Sequence, residues 1–338
     1  MARARKTRMP ARATVVLAAC LLASCSPYVY KQEIGAFNDG VTAIIASYES
    51  GRKSVGDAIA QDQQQAFISG RVKLDLLDGC DQVDPSGTPP RLPPCAVTKF
   101  PATKPPVQPP IETTLANAAP DFDALRNYAA ALSAITNASD DAQLTAATQS
   151  LISSVDGLTT AAASLSSAPA PPQSVINASG SIIGRLVAVY LDTRRYDVLR
   201  NTVPAADTSI RTISQTVKAA LLAIRAQQLL RLEKEMHAAE APLQSDSVSK
   251  LSAAEYQSDL AILQAKVVMF NQLRAIDPQV AVGALVDAHH KLAQALQNDT
   301  RQAQPVYVAT VNFLNAAAQL QSAVVSVSAS SRPAGRGK

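Results

Sequence analysis

The spacing of apolar side chains limits this chain more than any other feature, because they recur every three or four positions over most of its length. Ile34, Phe37, Val41, Ile44 and Tyr48 stand 3, 4, 3 and 4 positions apart, and Val55 and Ile59 carry the stripe towards Phe67. Leu144, Thr148, Leu151, Val155, Leu158, Ala162 and Leu165 alternate fours and threes without a break. On a helix such residues form one continuous stripe, whereas strand faces repeat every second residue. The mean period, close to 3.5, is that of a coiled-coil seam.

Further stripes follow, each opened or closed by proline. Phe122, Leu125, Tyr128, Leu132 and Ile135 are entered through Pro120-Asp121, and Val175, Ile182, Leu186, Val189 and Tyr196 run to about Asn201. Pro204 opens a long element through Ile210, Ile213, Val217, Leu221, Ile224 and the Leu229–Leu232 cluster, ending before Pro242. Ser252-Ala253-Ala254-Glu255 has the form of a capping box and leads into Leu260, Leu263, Val267 and Phe270. Asp277-Pro278 sets an N-cap before a proline in the first helical position, ahead of Val282, Leu285, His289, Leu292 and Leu296. Pro305 opens the last stripe, Tyr307, Val311, Leu314, Ala318 and Val325, after which Ser326 to Lys338 is polar and without period.

About eight helices with short connections imply antiparallel neighbours, and seams of this period imply crossing near +20°. The expectation is an all-α fold, an elongated antiparallel multi-helix bundle with coiled-coil-like seams. The chain has no Trp and only 4% aromatic residues, so its core is built of small side chains that bury little area each. Gly35, Gly40, Gly51 and Gly56 lie inside the first stripe. A helix-interior glycine costs up to about 1 kcal/mol relative to Ala, and a bend or break is expected near Gly51.

One segment departs from this pattern. Ten of the 21 prolines fall between Pro85 and Pro110, where the missing N–H groups forbid helix and central strand alike. Arg71 to Leu76 and Ala96 to Phe100 alternate polar and apolar residues on either side of a loop bearing Cys80 and Cys95. A disulfide between these cysteines would staple a small β-hairpin into this 70–110 insertion. Closing a loop of that size contributes on the order of 3 kcal/mol. A metal or reactive-thiol pair is the alternative, but no histidine stands near.

The amino-terminal residues speak to targeting. Arg3, Arg5, Lys6, Arg8 and Arg12 precede an apolar run from Ala13 to Leu22, which is shorter than the roughly 20 residues of a membrane-spanning helix. Leu22-Ala23-Ser24-Cys25 follows. This layout resembles the signal peptide and lipobox of bacterial lipoproteins. The resemblance implies cleavage after residue 24, a diacylglycerol on Cys25 and acylation (palmitate or a similar chain) of the new amino group. Several acyl chains hold a protein on a bilayer where one does not. A competing lipobox, Leu17-Ala18-Ala19-Cys20, would leave a short apolar run and expose Leu21 and Leu22 at the mature end. Ser26 after the cysteine resembles the outer-membrane sorting pattern. The expected layout is therefore signal peptide 1–24, lipidated tether 25–27, helical bundle 28–328 and a disordered basic tail 329–338.

Removing the five leader cations from the 31 Lys+Arg leaves 26 against 27 Asp+Glu, a mature charge near −1. Without a basic face, nucleic-acid binding drops out. His289 and His290 are adjacent and point about 100° apart on a helix, so helical spacing does not let them share a metal. His289 falls on its seam as a core or boundary residue. His237 follows Glu233 by four positions, the spacing of a surface ion pair. Arg194-Arg195 beside Asp192 and Asp197 reads as a solvated charge cluster rather than an anion site. No nucleophile elbow, P-loop or dinucleotide fingerprint is present, so no catalytic, cofactor or metal residue nominates itself.

The functional expectation is a non-enzymatic envelope lipoprotein. It would be a helical scaffold, spacer or binding subunit with a protein partner, anchored by lipid at the outer membrane and facing the periplasm. The alternatives are a membrane-active, toxin-like bundle and a lipid-binding bundle.

Overall fold

The computed structural model describes residues 30–76, 97–99, 109–165, 187–298 and 303–330. These residues are all-α apart from one short ladder. The helices are α1 (Lys31–Gly70), α2 (Pro110–Asn137), α3 (Asp141–Leu165), α4 (Val187–Gln244), α5 (Ala253–Ala275), α6 (Pro278–Gln297) and α7 (Ala303–Ser330). Strands β1 (Leu74–Leu76) and β2 (Val97–Lys99) pair antiparallel, with Leu74 opposite Lys99 and Leu76 opposite Val97.

Helix starts follow the side chains that cap them. Asp140 Oδ1 accepts from Gln143 N at 2.8 Å ahead of α3, and Asp277 Oδ1 accepts from Gln279 N at 2.9 Å at the start of α6. Ser252 and Glu255 form a reciprocal capping box on α5, which satisfies donors that the first turn leaves orphaned.

Helix interiors ignore several of the breaks expected from the sequence. α1 runs unbroken through Gly51. There an ideal Cβ would lie 3.0 Å from Ile224 Cδ1 and closer still to its Cγ2, so the missing side chain admits a neighbouring helix and does not mark a hinge. Gly40 plays the same part, since a Cβ there would come within 2.8 Å of the Phe313 ring.

α4 runs through Pro204, merging two expected helices into one of 58 residues, and α2 begins at Pro110 and carries Pro120 inside it. An interior proline costs about 3 kcal/mol in a helix. Fully burying a single large apolar side chain is worth about 1.5–3 kcal/mol. Val203, Ala206 and Ile210 are fully buried around Pro204, as are Ala118 and Phe122 around Pro120, and packing wins.

The last stripe is displaced by one residue. α7 buries Val306, Phe313, Ala317, Leu320, Val324 and Val327, while Tyr307 and Val325 are exposed. Valine and alanine occupy both candidate registers, and Phe313, the largest wholly apolar side chain of the helix, decides which faces inward. α7 also continues to Ser330, past Ser326, where the polar tail was expected to begin.

The contacts divide the chain into two compact units, each assembled from three separate stretches. Unit 1 takes residues up to Val41, Ala124–Ile213 and Gly283–Asn315. Its core holds Ile34, Phe37, Tyr128, Leu132, Leu151, Ile210, His289, Leu292 and Phe313. Unit 2 takes Thr42–Asp123, Ser214–Val282 and the chain from Ala316, around Ile44, Tyr48, Phe122, Val217, Leu221, Ile224 and Leu320.

Candidate functional site

The heptad position that falls on a histidine in α6 opens onto a connected polar cluster inside unit 1. His289 has no exposed surface, and the seam reading of this residue is correct in position. Its Nε2 lies 2.8 Å from Tyr128 Oη on α2, and its Nδ1 lies 3.1 Å from Asp207 Oδ1 on α4. The other carboxylate oxygen, Oδ2, is 3.0 Å from His290 Nδ1 and accepts from Arg211 Nη2 at 2.8 Å. The Phe37 ring of α1 tilts against the imidazole at 5.9 Å between centroids, and Phe313 of α7 backs Phe37 at 5.6 Å. Four positions separate Asp207 from Arg211, one helical turn, so both reach the same point.

Exposure rises along the cluster. Tyr128 and His289 are at 0%, whereas the side chains of Asp207, His290 and Arg211 are 17%, 32% and 48% exposed. Burial pushes the His289 pKa down against the opposing pull of Asp207, so the ring is neutral in the core. The donor pattern then has one solution. Nδ1–H donates to the Asp207 carboxylate, and Nε2 accepts from the Tyr128 hydroxyl. Burial, reinforced by the Asp207 charge, pushes the Tyr128 pKa well above 10 and keeps that hydroxyl protonated. Burial raises Asp207, but the hydrogen bonds from His289, His290 and Arg211 outweigh it and hold the carboxyl well below its usual range.

His290 Nδ1 also lies 2.5 Å from Arg211 Nη2. A guanidinium only donates, so this nitrogen either accepts from Arg211 or donates to Asp207, never both. The two adjacent histidines do converge, but on a carboxylate rather than a metal. Among the described residues no group of three or more His, Cys, Asp or Glu could hold a metal ion. With both ends of the tyrosine–imidazole pair sealed from solvent, the chemistry available is proton placement between helices.

Sequence reading found His289 but not Tyr128 or Asp207, which lie 161 and 82 positions away. The remaining sequence candidates are placed separately. Arg194 pairs with Asp141 on α3, while Arg195 pairs with Asp192 and donates to the Ala138 carbonyl just past the end of α2. The arginine pair therefore braces helix ends, and the solvated-cluster reading is too weak for Arg195, whose side chain is 12% exposed.

In unit 2, Arg225 does similar work, donating to the carbonyls of Leu273 and Arg274 at 3.2 and 2.7 Å in the last turn of α5. His237 is exposed and pairs at 3.4 Å with Glu240, three positions on, instead of with Glu233. In the Leu229–Leu232 run, Leu232 is buried and Leu230 is exposed. Cys20, Cys25, Cys80 and Cys95 lie outside the described residues. No helix among the described residues is long and apolar enough to cross a membrane. No family model, curated protein or solved structure matches the chain.

Proposed function

We propose that this chain is a non-enzymatic lipoprotein of the bacterial cell envelope. In this reading it is held at the outer membrane by acyl chains on Cys25 and serves as a helical scaffold, spacer or binding subunit for a protein partner. The observation that carries the reading is the lipobox Leu22-Ala23-Ser24-Cys25 behind a basic, then apolar, leader. An all-α body with its titratable cluster turned inward is in keeping with a mechanical or binding role. The finer features belong to the same reading: coiled-coil-like seams, and a Cys80–Cys95 disulfide across the loop that joins β1 to β2. The pairing of Leu76 with Val97 brings together the residues that flank this segment, which favours the bridge.

Metabolic labelling with palmitate tests the anchor. The wild-type protein is expected to take up label and sediment with membranes, Cys25→Ala to lose both, and Cys20→Ala to keep both. An unlabelled wild-type protein with an intact leader overturns the reading. Crosslinking in intact cells followed by affinity capture tests the scaffold role, and recovery of no stoichiometric partner counts against it.

A membrane-active bundle is the second reading, and one helix favours it. Leu273 is the only buried residue of α5, whose Tyr256, Ile262 and Val268 are 44%, 49% and 53% exposed. Dye release from liposomes by the unlipidated body separates the two, because an inert scaffold releases none.

A further inference from the structure

The Tyr128–His289–Asp207 chain joins three helices of unit 1 through a ring that carries no net charge. Every donor and acceptor in it is matched only in that state. A proton added to Nε2 would face the Tyr128 oxygen. The hydroxyl could accept from it, but its own hydrogen would lose its acceptor inside a site with no solvent exposure. Leaving a buried donor unpaired costs about 1–3 kcal/mol.

The charged and titratable groups facing the ring are Tyr128 from α2, Asp207 and Arg211 from α4, and His290 beside it on α6. From α1 the Phe37 ring packs against it, itself backed by Phe313 of α7. Asp207 is already engaged by Arg211 at 2.8 Å, so the new positive charge arrives beside an existing one. The added proton must arrive at Nε2, because Nδ1 already carries the hydrogen donated to Asp207, so charging the ring means opening the Tyr128 contact.

We propose that this cluster is a proton-released latch: acidification charges His289, breaks the join between α2 and α6, and loosens unit 1 locally before the fold is lost. The inference stands independently of the anchor on Cys25. Its direction follows from linkage. A buried base that prefers its neutral form has a folded pKa below the unfolded value of about 6.5. Its contribution is therefore intact above that value. It is lost progressively as pH falls from there towards the folded pKa.

The test is NMR titration of the His289 ring in the full-length protein, paired with hydrogen exchange across α2 and α6 between pH 7.5 and 5, corrected for intrinsic rates. The expected result is a ring midpoint below 6.5 and, with the same midpoint, about a tenfold loss of protection around Tyr128 and His289, the equivalent of one unpaired hydroxyl. Exchange in unit 2 should stay unchanged. Tyr128→Phe should show the loosened exchange already at pH 7.5 and little further change on acidification. A ring that titrates without any change in exchange overturns the proposal. So does a midpoint at or above the ordinary histidine value, or a ring that stays neutral until the whole protein unfolds.

Discussion

Substituting Gly51 with Ala sets two effects of known size against each other at one position. On helix propensity alone the change should stabilise α1 by about 1 kcal/mol. The new methyl, however, would come within 3.0 Å of Ile224 Cδ1 and closer to Cγ2. Because isoleucine is branched at Cβ, its χ1 cannot rotate away cheaply, and overpacking of this kind costs about 1–3 kcal/mol. A net loss of about 1–2 kcal/mol is expected, read by urea denaturation followed by circular dichroism at 222 nm.

Two companions fix the cause. Gly56→Ala, on the same helix with nothing within 4 Å of an added Cβ, should gain about 0.5–1 kcal/mol. In an Ile224→Ala background, itself destabilised by about 2–5 kcal/mol, Gly51→Ala should reverse sign and stabilise, because propensity then acts unopposed. If Gly51→Ala is neutral or stabilising in the wild-type chain, or if its effect is the same in both backgrounds, the packing explanation is wrong.

Two further outcomes follow from polar groups in unit 2. Burial raises the Asp121 pKa against a hydrogen bond from Thr216, and its Oδ2 has no partner. Its contribution to stability is thus present below the unfolded value of about 3.9 and lost as pH rises through the folded one. Asp121→Asn should therefore raise stability at pH 7 by about 1 kcal/mol and leave it little changed near pH 3, measured by denaturation at the two pH values. Arg225→Met keeps the apolar stem but removes both hydrogen bonds to the end of α5. It should cost about 1–2 kcal/mol and speed exchange selectively in the last turn of α5.

Much of the helix pattern was legible because caps act locally. Ser252 and Asp277 each mark a helix start within a few residues of the side chain responsible. What stayed hidden depends on contacts made far away in sequence. Gly51 reads as a breaker until Ile224 is known to fill the space, and Pro204 and Pro120 read as ends until buried neighbours outweigh the missing hydrogen bond. The register of α7 was ambiguous because small apolar residues fill two adjacent stripes, and only the demand of Phe313 for space resolves them. At the candidate site, one residue of the chain Tyr128–His289–Asp207 stood out, as a polar group at an apolar position. Its partners are an ordinary stripe tyrosine and an aspartate on the polar side of a helix, types too common to flag without coordinates.

The patchwork origin of the two units bears on when the protein can fold. Unit 1 lacks part of its core until residues 283–315 have been made, and unit 2 waits for the stretch that begins at Ala316. A chain leaving the ribosome therefore carries long amphipathic segments, and the two cores are not both complete until the stretch from Ala316 has been made. The same patchwork means that neither unit can be transplanted as one continuous piece of gene.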